Sequence, residues 1–274
     1  MFEYPEITTI VQQMKTELTG KTVDSGELTK KNGNMFMGEN DAAKYSLLNG
    51  GTVVQIDCHA PDIYVELDNG YGIMICQSGG KILYNKTKSD VPKNYNIIFA
   101  FTDGSSLTYT MSLFTLGIYA VSREEWLKRK QGSDKFDPFN DTSYDDYINF
   151  MNKADEHGKT AVKLFLSTKI AGVMSTFAAE ILLYAQIYPS TPLRKLSEFE
   201  HKRIYETMKH IITSAGNRGG RTSEHDLYGR KGGYTAMAER KHIGGECPIC
   251  GGVLEKNSTG GVTAYCPRCQ IKKY

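Results

Sequence analysis

Two Cys-x-x-Cys pairs, Cys247-Pro-Ile-Cys250 and Cys266-Pro-Arg-Cys269, lie near the C-terminal end with fifteen residues between them. Two residues between thiolates suit a tight turn in which both sulfurs face one ion. Two such knuckles supply the tetrahedral four-sulfur set that Zn²⁺ prefers, and a site of that kind is closed and structural. Gly251-Gly252-Val253-Leu254 and Val262-Thr263-Ala264-Tyr265 are predicted as two strands, joined by a turn at residues 257–261. The expectation is a zinc ribbon with one structural Zn²⁺ held by Cys247, Cys250, Cys266 and Cys269. Disulfides are the competing reading; the early acids of Met1-Phe2-Glu3-Tyr4-Pro5-Glu6 do not form the basic start of an export signal, which argues against it. Cys58 and Cys76 sit in apolar alternating segments and read as buried, inert thiols.

Charge is segregated along the 274 residues. The formal net charge is only +2, yet from Ser214 onward ten Lys and Arg face five acids, so that stretch carries +5 and the remainder −3. A basic tail beside a ribbon points to a polyanion such as nucleic acid. The apolar run from Ile170 to Ala179 is too short to span a bilayer, and a cytoplasmic, nucleoid-associated protein without a membrane partner is expected.

The first 120 or so residues read mostly as strands, with Asp68-Asn69-Gly70 and Asp103-Gly104 as turns, behind a helix from about Pro5 to Leu18. Residues 131–144 are polar and turn-rich, and helical periodicity follows at 144–151, 159–167, 175–186 and 197–214. The expected architecture is α+β and multidomain. An N-terminal β-sandwich with a flanking helix fills 1–130 and a linker 131–144; a helical domain spans 145–242, and the ribbon covers 243–274.

That order of parts resembles the Fpg/Nei family of DNA glycosylases. The opening Met1-Phe2-Glu3-Tyr4-Pro5-Glu6 is similar to the family's Met-Pro-Glu-Leu-Pro-Glu. Ala171-Gly172-Val173-Met174-Ser175-Thr176-Phe177-Ala178-Ala179-Glu180-Ile181-Leu182 resembles a segment of its helix–two-turn–helix, and Tyr265-Cys266-Pro267-Arg268-Cys269-Gln270 resembles its ending. The resemblance implies a monomer that binds damaged or bent double-stranded DNA and flips the damaged base out of the helix. The family's N-terminal proline amine then attacks the sugar C1′, with the neighbouring Glu handling protons.

By that resemblance Met1, Phe2, Glu3 and Glu6 occupy the catalytic positions. Glu3 is the acid/base, while Phe2 replaces the proline and leaves the Met1 amine one residue early. Acids at a helix start also favour the macrodipole without any catalysis. The family's phosphate-binding Lys falls near Pro61 or Asp62, its stack-filling Met near Ser78, and its phosphate-binding Asn at Ser175. Its ribbon-turn Arg falls at Gly261. Gly172, Ser175, Arg221, Lys231 and Arg268 are expected to face phosphates, and Phe114 to wedge between bases or pack in the core. Three functions remain open: a divergent glycosylase with impaired lyase chemistry, a pseudo-glycosylase that only binds DNA, and a ribbon protein acting on RNA or in an assembly.

Overall fold

The computed structural model describes residues 2–29, 42–76, 80–111, 117–140 and 142–273. It divides into two compact units, Met1–Ser133 with Gly219–Gly233, and Asp134–Arg218 with Tyr234–Tyr274. Among the described residues no helix is long and apolar enough to cross a membrane.

In the first unit, helix α1 (Tyr4–Leu18) carries Pro5 in its first turn, where a missing N–H costs nothing. Ile7, Ile10, Val11, Met14 and Leu18 form its buried stripe, and Gly20, at φ +82°, takes the chain out of it. Eight strands follow: β1 (Val23–Leu28), β2 (Val53–His59), β3 (Asp62–Leu67), β4 (Tyr71–Ile75), β5 (Gly80–Asn85), β6 (Ile97–Phe101), β7 (Ser106–Met111) and β8 (Ile118–Ser122). They form two four-stranded antiparallel sheets, ordered β1-β6-β7-β5 and β2-β3-β4-β8. The two hairpins expected from the turn residues are present, with Gly70 at φ +84° and Gly104 at φ +86°.

The expectation omitted four elements. Strand β1 is polar through most of its length, whereas β5 (with Ile82-Leu83-Tyr84) and β8 (Ile118-Tyr119-Ala120-Val121-Ser122) are short apolar runs that were passed over. Helix α2 (Arg123–Gln131) is polar except for Trp126 and Leu127, and only Trp126 is buried. Its formation rests on a capping box, in which Ser122 Oγ accepts from Glu125 N at 3.2 Å and the Glu125 carboxylate accepts from Ser122 N at 2.7 Å. Trp126 stacks on Tyr64 at 5.2 Å between centroids and donates its indole N–H to Asp57 at 3.3 Å.

The second unit holds helices α3 (Tyr144–Ala154), α4 (Val162–Lys169), α5 (Ser175–Tyr184) and α6 (Glu198–Gly216), then strands β9 (Glu255–Asn257) and β10 (Thr263–Tyr265). Ser143 and Ser197 cap α3 and α6 through Asp146 N and Glu200 N. Helix α5 ends at Tyr184 rather than Gln186, which adopts φ +55°. Residues 177–183 of α5 are all buried, and Ala179 and Leu183 pack with Ala238, Leu254, Ala264, Cys247 and Cys266, so ribbon and helices share one core. The first ribbon strand lies at 255–257 instead of 251–254, because Gly251, at φ +68°, closes the first cysteine knuckle.

Close backbone approach makes one glycine testable. A Cβ on Gly72 would lie 2.4 Å from Tyr64 Cε2 and 2.5 Å from Val65 O, the latter in the neighbouring strand backbone. Gly72→Ala is expected to destabilise the protein by about 1–3 kcal/mol, read as a lower thermal midpoint; an unchanged midpoint would contradict the tight β3–β4 packing.

Candidate functional site

Helix α1 starts at a buried charge cluster contained wholly in the first unit. Phe2, Glu3 and Glu6 are each 2% exposed and Arg221 is 3% exposed. The backbone N–H of Glu3 donates to Glu6 Oε2 at 2.8 Å, closing the first turn. Arg221 then surrounds the same carboxylate: its backbone N–H and Nε donate to Oε1 at 2.8 and 3.1 Å, and its Nη2 donates to Oε2 at 2.8 Å. Two oxygens offer about four lone-pair positions, and these four bonds use them. The remaining arm, Nη1, reaches Glu3 Oε1 at 3.3 Å, with Glu224 Oε1 3.7 Å from Nη2.

Glycines make this approach possible. Gly219 and Gly220 have φ of +73° and +91°, and a Cβ on Gly220 would sit 2.8 Å from Glu6 Cγ. Burial by itself pulls the Arg221 guanidinium toward its neutral form, but the charges of Glu3 and Glu6 outweigh it and hold its pKa above the ordinary arginine value. Removing one partner from such a buried set costs about 3–5 kcal/mol.

Arg221 was expected on a phosphate-facing strip; it is instead buried against Glu3 and Glu6, because these acids offer it a complete bidentate partner. The Gly-Gly before it was the visible signal of a close backbone approach. Lys231 is exposed, and burial together with the nearby Lys81 and Lys231 charges lowers the His225 pKa. Asp62 is paired with Arg129 Nε at 2.7 Å. Met1, Ser78 and Phe114 lie outside the described residues.

In the second unit Gly172, at φ +66°, is buried in the turn before α5. Ser175 opens that helix, and its Oγ is shielded from solvent without a hydrogen-bond partner. The ribbon turn comes close to it, since a Cβ on Gly261 would lie 2.8 Å from Ser175 Oγ. Fully buried Lys163 donates from Nζ to Gly261 O at 2.8 Å and Thr263 Oγ1 at 2.7 Å, tying α4 to the turn. A lysine on the apolar face that includes Val162, Phe165 and Leu166 was the overlooked sign of this tie. Arg268 is exposed, its Cδ resting near Gly252.

The four ribbon sulfurs lie within 4.8 Å of one another. Cys247 and Cys269 are 3.9 Å apart and Cys250 and Cys266 3.6 Å apart. Sulfurs on one tetrahedral zinc lie roughly 3.8 Å apart, so the set fits a metal ion of that size and geometry.

Residues 1–112 match the formamidopyrimidine-DNA glycosylase N-terminal domain. Curated formamidopyrimidine-DNA glycosylases of Lactobacillus acidophilus and Bacillus cereus align at 26% and 27% identity, over 99% and 98% of this chain and 99% of each relative. The chain is thus similar to formamidopyrimidine-DNA glycosylases along nearly its whole length. Its fold is shared with Lactococcus lactis Fpg, solved in complex with DNA containing an abasic site (TM-score 0.84, 19% identity, 98% of this chain and 100% of that one). It is also shared with MutM (Fpg) of Thermus thermophilus (TM-score 0.82, 21% identity, 99% and 100%).

In the second unit one buried acid, Glu180, is held far from the usual carboxylate range. Burial pushes the Glu180 carboxyl up to about 7 from 4.5, only partly offset by bonds from the Ala238 and Met237 amides and the Tyr234 hydroxyl. A raised native pKa means the folded state binds the proton more tightly than the unfolded chain. Its contribution is therefore full below about pH 4.5 and is lost as pH rises through about 7. Thermal midpoints from pH 5 to 8 are expected to fall with a component worth about 2–3 kcal/mol, absent in Glu180→Gln; the same slope in that variant would refute the assignment.

Proposed function

We propose that this chain is an Fpg-type DNA glycosylase that engages double-stranded DNA at a damaged or distorted nucleotide, with its lyase step impaired. The observation that carries the reading is the state of the α1 start. Phe2, at the position of the family's proline, is packed in the core, and the adjacent carboxylates are joined to Arg221. In the family's chemistry a free amine must bond to C1′ while a carboxylate moves protons. Here Phe2 replaces the proline, and Glu3 with Glu6 would serve the proton transfers.

The DNA side of the reading is supported by the similarity to formamidopyrimidine-DNA glycosylases and by the basic C-terminal stretch. Gly172, Ser175, Lys231 and Arg268 are the residues we assign to phosphates, with Phe114 as the wedge. The helix start at Ser175 offers backbone N–H groups to an anion, and Lys231 and Arg268 are solvent-exposed cations. L. lactis Fpg was solved with abasic-site DNA on the same fold. The chain would act as a monomer, in the cytoplasm at the nucleoid. A second reading, a pseudo-glycosylase that binds distorted DNA without cutting it, is favoured by the saturation of Glu6.

Borohydride trapping on a duplex with one abasic site tests the lyase claim. Little covalent adduct is expected alongside tight binding whose affinity falls steeply with salt. Efficient trapping would overturn the impaired-lyase reading, and weak, salt-insensitive binding would overturn the DNA reading. Base release without trapping would favour the glycosylase over the pseudo-glycosylase.

We assign the four cysteines to one structural Zn²⁺, which would supply ribbon stability and no step of the reaction. Elemental analysis is expected to find one zinc per chain. Cys247→Ser should lose the metal and weaken duplex binding; unchanged affinity in the metal-free variant would separate the ribbon from DNA recognition.

A further inference from the structure

We propose that Arg221 is the residue that withholds Glu3 and Glu6 from chemistry at a sugar, a second obstacle independent of the replaced proline. The inference rests on the functional reading above and assigns the role of one residue within it. Glu6 has each of its lone-pair positions engaged by N–H donors, three of them from Arg221. Glu3, the neighbouring carboxylate, is tethered by the last arm of the same guanidinium. Glu6, with its lone-pair positions engaged, cannot accept or return a proton without first giving up a buried charge-assisted bond. A proton taken up at Glu3 Oε1 displaces the Arg221 Nη1 contact.

The loop around Arg221 is shaped for that contact. Gly219 and Gly220 take left-handed backbone angles, and Gly232 passes so close that a Cβ on it would lie 2.2 Å from Gly220 O. The arginine is therefore delivered by its backbone, whose own N–H joins the cluster, and not by a long side chain reaching across solvent. All of these residues belong to the first unit.

Adduct formation on an abasic site needs the proton transfers that this contact blocks. The amine nitrogen bonds to the C1′ aldehyde of the opened sugar as the C=O π pair moves to oxygen. That oxygen takes up a proton to become the hydroxyl, while the nitrogen gives its proton to a base. The C1′ hydroxyl gains a proton and leaves as water as the nitrogen lone pair closes the C=N bond. Borohydride then adds hydride to C1′ and makes the link permanent.

The test uses the full-length chain with Arg221, Arg221→Gln or Arg221→Lys, each with Phe2 and with Phe2→Pro, and an abasic-site duplex. Mass spectrometry fixes the N-terminal residue of every sample, and circular dichroism shows which are folded. In every folded background, Arg221→Gln is expected to raise the adduct yield by about 100-fold, the low end of what positioned proton transfer contributes. Arg221→Lys, which keeps the charge but loses the fork, should fall between. Because a purely structural arginine would give only losses on replacement, a gain of adduct identifies the withholding role. Equal yields with and without Arg221, in chains that still bind the duplex, would overturn the proposal and leave the DNA reading standing. Failure of the unaltered chain to bind the duplex would overturn both.

Discussion

A single guanidinium organises the start of this protein. Arg221 brings a loop from late in the sequence onto the first turn of α1, where Glu3 and Glu6 would otherwise be two buried, mutually repelling acids. Buried charges survive only when paired and fully hydrogen-bonded, so the loop, the helix start and the burial of Phe2 form one packed arrangement. That arrangement sets the tone of the functional reading as well. The same carboxylates that family resemblance assigns to catalysis are the ones the fold uses to anchor its own chain.

The second unit depends on an analogous tie of different chemistry. Lys163 is fully buried, yet its bonds go to a backbone carbonyl and a threonine hydroxyl of the ribbon turn. Ribbon cysteines and the apolar face of α5 share a core. Ion-binding geometry, helix packing and the turn beside Ser175 are thus linked through neighbouring contacts, and the start of α5 is placed by the ribbon as much as by its own sequence.

Local chemistry was easily read from the residues. The Cys-x-x-Cys spacing placed four sulfurs together, Asp68-Asn69-Gly70 marked its hairpin, and helical periodicity placed helix starts near residues 144 and 197. Partnerships over long sequence separations were not legible. The Gly219-Gly220 pair before Arg221 marks a close backbone approach, but nothing local reveals that Glu6 lies across from it. Polar elements were lost for a related reason: β1 and α2 are held by sheet pairing and by one tryptophan, and neither leaves a strong periodic imprint. The ribbon strand was displaced because Gly251 closes the first cysteine knuckle before pairing begins.

The split of the first unit between residues 1–133 and 219–233 has a bearing on biosynthesis. At roughly 5–20 residues per second, the ribosome adds Arg221 some tens of seconds after Glu6. Through that interval the nascent amino-terminal portion carries its two acids without their counter-ion, while the helices of the other unit are being made. Completion of the earliest part of the chain therefore waits on one of the later parts, and a message truncated before that loop would yield an N-terminal fragment whose charge balance is never restored.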